Sequence, residues 1–248
     1  MNDFTDKVNS QIENFYFQRQ NISHCGQVDC IITSDIFSKR MELVQSIRDK
    51  EITLQQKEFL QKVNGNIVWG KTNNNKITVL IASKVFSLDD YTWRGTVHHE
   101  FTHAHDFWDL ADHLNTTEMD SIYDYQFYAP FDWWTEFHAR KSGAINVYRH
   151  EYAHNSISQT INVCNTMFDY ICKTLMSVSQ VYDAMQLFGR YSALKEMYGN
   201  IMPDIQTASN KYGLSKSIIS VGEFLLSHQE FALIQNKFDE FQYLIYNV

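Results

Sequence analysis

The chain has 248 residues, enough for one large domain or two small ones with a sizeable core. Hydrophobic residues make up 44% and aromatic residues 15%, which excludes a disordered chain. The formal net charge of −8 argues against nucleic acid or an anionic membrane as the main partner.

The N-terminal M-N-D-F-T-D-K-V-N-S lacks the basic and apolar regions of a secretion signal, and no apolar run approaches membrane-spanning length. The expected location is the cytoplasm. Phe4, Val8, Ile12 and Phe15 suggest a short amphipathic helix, and Val28 to Thr33 reads as a strand. Ser34 or Asp35 can cap a helical stretch running to about Val63, with a break near Glu51 to Leu54. Asn64-Gly65 is a turn signal. Asn66 to Gly70 and Lys76 to Ala82, separated by K-T-N-N-N, read as a β-hairpin. Its second strand is either an ordinary sheet strand or an edge that pairs with an extended substrate backbone. Cysteines stand at 25, 30, 164 and 172. Cys25 and Cys30 suit a pair or half a structural zinc site, but a second C-x-x-C is missing, so reduced structural thiols are expected. Cys164 falls on an apolar helical stripe, as a small core residue would.

Residues 97–106 read V-H-H-E-F-T-H-A-H-D, and within them His99-Glu100-Phe101-Thr102-His103 fits H-E-x-x-H. On a helix, residues four apart share a face, so both imidazoles can point at one ion. Glu100 sits beside the first ligand, within reach of a metal-activated water. Val97, Phe101, Ala104, Trp108 and Ala111 form one apolar stripe; His99, His103 and Asp106 form another beside it. Ser87, Asp89 and Asp90 are N-cap candidates upstream. Asn115 to Ala129, rich in aromatics and carboxylates, is either a lid or a packed connector.

A catalytic zinc needs a third protein ligand and one open position. Asp106 is on the right face, but three ligands on one straight helix crowd one side of the ion, which suits it better to orienting an imidazole. Glu136, in F-D-W-W-T-E-F-H-A-R-K-S-G, is the stronger candidate. Pro130 marks a boundary, and Asp132 or Thr135 can begin a helix running to about Tyr152. On it Glu136, Ala139, Arg140 and Gly143 share a face whose small members admit another helix. His105, His138, His150 and His154 are alternative ligands. Tyr123, Tyr125, Tyr128, His150 and His154 are candidates for an oxyanion donor.

Beyond the site, Ile157, Ile161, Cys164, Phe168, Ile171, Leu175, Val178, Tyr182 and Met185 predict one long helix ending near Gly189. Gly199 and Pro203 mark a turn, and Phe231, Ile234, Phe238, Phe241 and Ile245 form a C-terminal stripe. Such stripes read as intramolecular core rather than a dimer seam. With no internal repeat or linker, the expectation is a single α+β domain over 1–248. It comprises a mixed N-terminal part (1–85) with the hairpin at 66–82 in a small antiparallel sheet, metal-site helices (86–155) and a helical C-terminal part (156–248).

The combination resembles the gluzincin branch of the zincin metallopeptidases, in which H-E-x-x-H lies on one helix and a glutamate ligand on a later one. H-E-F-T-H-A-H-D is locally similar to the active-site helix of thermolysin-like enzymes. The order of strand, helix, loop and Glu-bearing helix is closer to the small ImmA/IrrE-type metallopeptidases of bacteria and mobile elements. The resemblance spans roughly residues 66–155 and implies zinc held by His99, His103 and Glu136, with Glu100 as general base acting on a peptide or protein substrate. Two features depart from related patterns. Arg140 stands where thermolysin-like enzymes carry an orienting aspartate. Asp106 and Asp109 stand at the glycine and third-ligand positions of the metzincin motif. The alternatives are a zincin-fold binding or scaffolding protein without turnover, and a non-peptide metallohydrolase.

Overall fold

The computed structural model describes residues 2–19, 22, 24–43, 54–69, 76–89 and 91–247. Its architecture is α+β, helices with one three-stranded sheet, as the sequence leads one to expect. The backbone gathers into two units, Met1–Tyr125 and Gln126–Val248.

The first unit runs α1 (Asn2–Gln18), β1 (Val28–Thr33), α2 (Ile36–Leu43), α3 (Leu54–Lys62), β2 (Gly65–Trp69), β3 (Ile77–Ala82), α4 (Thr92–His113) and α5 (Met119–Tyr123). Val8 and Phe15 of the predicted α1 stripe are buried, whereas Phe4 is exposed and stacks on Phe86. Asp35, not Ser34, caps α2, its carboxylate accepting from Ser38 N at 3.0 Å. Of the helical stretch expected to reach Val63, α2 and α3 are described; residues 44–53, with most of the expected break, and the hairpin tip at 70–75 lie outside the described residues.

The sheet has the order β1-β3-β2. β2 pairs antiparallel with β3, Gly65 opposite Ile81 and Trp69 opposite Ile77, which is the expected hairpin. β1 pairs parallel with β3, Val28 opposite Ile77. The sheet is therefore mixed rather than antiparallel. β3 is its central strand, with both ladders occupied, so it is not an edge that can receive a substrate. The reason is written in β3 itself. Val79, Leu80, Ile81 and Ala82 are buried in succession, as is Ile77 before Thr78, a near-continuous apolar run of the kind that central strands covered on both faces require.

Of the three cap candidates Asp90 lies outside the described residues; Asp89 precedes α4, and its carboxylate accepts from Tyr91 N at 2.7 Å and from Thr92 N and Oγ1 at 2.5 Å. Those bonds hold its pKa below the usual carboxylate value, the Thr92 side chain contributing most. The apolar stripe Val97, Phe101, Ala104, Trp108 and Ala111 is buried throughout. α4 ends where Asn115 takes a left-handed conformation (φ 50°) and Thr116 N bonds to Ala111 O at 2.9 Å, a conformation asparagine tolerates better than most residues. Ile122, in α5, is fully buried.

On the last turns of α4, burial and the neighbouring Asp106 and Asp112 push the Asp109 carboxyl up to about 7, against the opposing pull of His24 and Arg19. The folded protein thus holds a proton that the unfolded chain releases near pH 4, so stability falls as pH rises from about 4 to about 7. Asp109→Asn removes this penalty. Thermal unfolding should show the variant more stable than the parent at pH 8, by about 2 kcal/mol once solvent screening is allowed for, and little changed at pH 4. An equal shift at both pH values would contradict the assignment.

The second unit is helical: α6 (Tyr128–Glu151), α7 (Ile157–Leu175), α8 (Val181–Tyr198), α9 (Thr207–Tyr212), α10 (Lys216–Ser227), α11 (Phe231–Ile234) and α12 (Phe238–Tyr246). α6 starts before the expected Asp132 or Thr135. Pro130 lies in its first turn, where a proline costs no helical hydrogen bond. The single long helix expected from Ile157 to Gly189 is two, α7 and α8, with the chain turning at 176–180. Cys164, Phe168, Ile171 and Leu175 are buried, while Ile157 and Ile161 are exposed. Ser156 and Gln159 cap α7 reciprocally. Gly189 falls mid-α8, not at a helix end. A Cβ there would stand 2.7 Å from Phe137 O and from Arg140 Cβ, so α8 crosses α6 at this glycine. The turn expected at Gly199 is present, with φ 53°. Ile234, Phe238 and Phe241 of the C-terminal stripe are buried, on two short helices.

Candidate metal centre

α1 packs along the back of the H-E-x-x-H segment of α4 and accounts for two of its histidines. His98 meets the Phe15 ring edge-on at 5.5 Å, and His105 stacks on the same ring at 5.7 Å and bonds Tyr16 Oη through Nε2 at 3.2 Å. Arg19 donates to Thr102 Oγ1 at 3.2 Å, and Thr102 in turn donates to His98 O at 2.8 Å. His105, an alternative ligand on sequence grounds, is thereby a packing residue.

The other face carries the expected pair. His99 is buried and His103 half-buried, and their Nε2 atoms stand 3.1 Å apart. Two nitrogens each ~2.0–2.1 Å from one tetrahedral ion would stand roughly 3.4 Å apart, so the observed spacing nearly suits a shared cation. The carboxylate of Glu136, on α6, completes the group: the donor atoms of His99, His103 and Glu136 all lie within 4.8 Å of one another. Among the described residues this is the one set of three such side chains that converges closely enough to hold a metal ion. Asp106, the competing third ligand, is buried but outside the set, as are His138, which packs on Trp134 at 5.1 Å, and the exposed His150 and His154. Two imidazoles and a carboxylate are donors that zinc accepts readily, and three protein ligands leave a position open.

Glu100 is 7% exposed, on the turn that carries His99. Two residues whose bearing on Glu100 the sequence did not reveal are Gly65 and Cys30. Gly65, read from sequence as part of a turn, is the first residue of β2, and its Cα faces the Glu100 side chain without room for a Cβ. Cys30 is on β1. Burial, and secondarily the Glu100 carboxylate, push its thiol up to about 12, so it stays protonated and neutral beside that charge. Cys30, Cys164 and Cys172 are all free thiols, as expected.

A third overlooked residue is Gln186 of α8, whose amide nitrogen donates to Glu136 Oε1 and lies 3.2 Å from Tyr182 Oη. No local signal marks it, because it reaches Glu136 only through the crossing of α6 and α8. Groups that hold a ligating carboxylate in one orientation are commonly worth 10–100-fold in metal affinity. Gln186→Ala should therefore weaken the binding of a metal ion at this group by about that factor in chelator competition. Unchanged affinity would remove Gln186 from the centre.

Among the described residues, no helix is long and apolar enough to cross a membrane. Comparison of the chain with protein-family models, with curated proteins and with solved structures finds no match.

Proposed function

We propose that this chain is a zinc-dependent metallopeptidase of the zincin type, nearest in organisation to the small ImmA/IrrE-type enzymes. The observation that carries the reading is the convergence of His99, His103 and Glu136 with Glu100 on the adjoining helical turn. A structural site needs no base beside it; a hydrolytic one does.

Zinc bound there would supply Lewis acidity, polarising a peptide carbonyl and making water acidic enough to lose a proton near neutral pH. The work of the chain's own residues follows. His99 and His103 present lone pairs from one helical face, and Glu136 adds a negative charge that offsets part of the cation's. Gln186 fixes the direction of that carboxylate. Glu100, kept from bulk solvent, accepts the proton of the attacking water. It then returns that proton to the departing amine as the carbon–nitrogen bond breaks, so no net proton is gained or lost. The free thiols fit a reducing compartment, in keeping with the cytoplasm.

The test is to incubate the zinc-loaded protein with a mixed peptide library and follow new termini by mass spectrometry. Cleavage that stops on chelation and returns with added zinc supports the reading. A library left intact by protein shown to contain zinc would favour a binding or scaffolding role.

A further inference from the structure

We propose that Gly65 is a positioning residue for Glu100, a notch in strand β2 that sets the conformation of the carboxylate. The inference deepens the peptidase reading and rests on it only in taking Glu100 as the base. A Cβ built on Gly65 would stand 2.6 Å from Glu100 Cδ, inside the 3.0 Å that real Cβ atoms respect. The glycine is not there for its backbone: among the described residues the glycines of positive φ are Gly199 and Gly213, so Gly65 has a conformation open to any residue. Glycine in a strand is otherwise a liability, since it costs chain entropy and packs no side chain. The space it leaves is filled by Glu100.

What a Cβ would meet is the Glu100 side chain, and it is this side chain rather than the strand that gives way. Gly65 is buried and tied into the ladder opposite Ile81 of β3, itself fully buried, so the strand cannot easily withdraw. Glu100 is fixed to the most buried stretch of α4, where residues 95–102 are all buried. A methyl group at position 65 therefore has to turn the Glu100 side chain out of its place. A displacement near 1 Å in a reacting group costs about 100-fold in rate.

A double-mutant cycle on the full chain tests this, with thermal unfolding of the metal-free protein as the first readout. Gly65→Ala is expected to lower the melting temperature of the parent, and to leave it unchanged or raise it when Glu100 is already Ala, where the notch is empty. The same loss in both backgrounds overturns the proposal. If Gly65→Ala alone does not fold, a folded Gly65→Ala/Glu100→Ala protein supports the proposal, and an unfolded one overturns it. Where the parent cleaves peptides, Gly65→Ala should cut kcat at least ~100-fold with KM little changed and zinc affinity held, because the three atoms nearest the added Cβ all belong to Glu100. Undiminished kcat would overturn positioning even if the two residues were coupled in stability. A parent with no peptidase activity would sink the enzyme reading and leave the unfolding cycle to decide the rest.

Discussion

On the proposed peptidase reading, Glu100→Gln is expected to bind zinc as the parent does and to lose hydrolysis by about three to four orders of magnitude. The amide has the shape of the carboxylate, so it fits the space beside Gly65 and leaves both imidazoles where they are. What it lacks is a lone pair basic enough to take a proton from water. Stoichiometric zinc by elemental analysis, together with single-turnover cleavage, would check both halves. Full activity would remove Glu100 from the chemistry.

The second large effect is on the metal. Apparent zinc-binding free energies of about 10 kcal/mol, divided among three ligands, put each near 3 kcal/mol. Replacing His99, His103 or Glu136 by Ala should then weaken zinc binding by about 100- to 1000-fold, enough to lose the ion on dialysis. His105→Ala provides the control on the same helix. Its ring packs on Phe15 and bonds Tyr16, so the expected result is lower thermal stability with zinc retained. Loss of zinc from His105→Ala equal to that from His103→Ala would contradict the division of the helix into a packing face and a ligand face.

That division was legible because it is local. The spacing of Val97, Phe101, Ala104, Trp108 and Ala111 fixes which side of α4 is buried, and His99 and His103 follow from the same period. The third ligand is different in kind. Pattern alone put Glu136 on a helix and preferred it to Asp106 on crowding grounds, but the convergence with the imidazoles emerges only from the tertiary structure. Strand pairing was legible across the hairpin, where sequence neighbours meet, and not for β1, whose parallel partner lies far along the chain. Nothing in K-I-T-V-L-I-A says which strand will flank it, although the apolar run V-L-I-A within it does signal burial on both faces. The apolar stripe from Ile157 to Met185 runs through the turn at 176–180, because keeping an apolar face does not require keeping one straight helix. The relation of Gly65, Cys30 and Gln186 to the site went unread for the same reason: each acts through a residue distant in sequence.

The most direct measurement is an anomalous-difference map from crystals of the zinc-loaded chain, with data on both sides of the zinc absorption edge. The account predicts one strong peak ~2.0–2.1 Å from Nε2 of His99 and of His103, with a Glu136 oxygen as third protein ligand and a fourth position open to solvent. A peak held by four protein side chains, or no peak at these three residues, would contradict it.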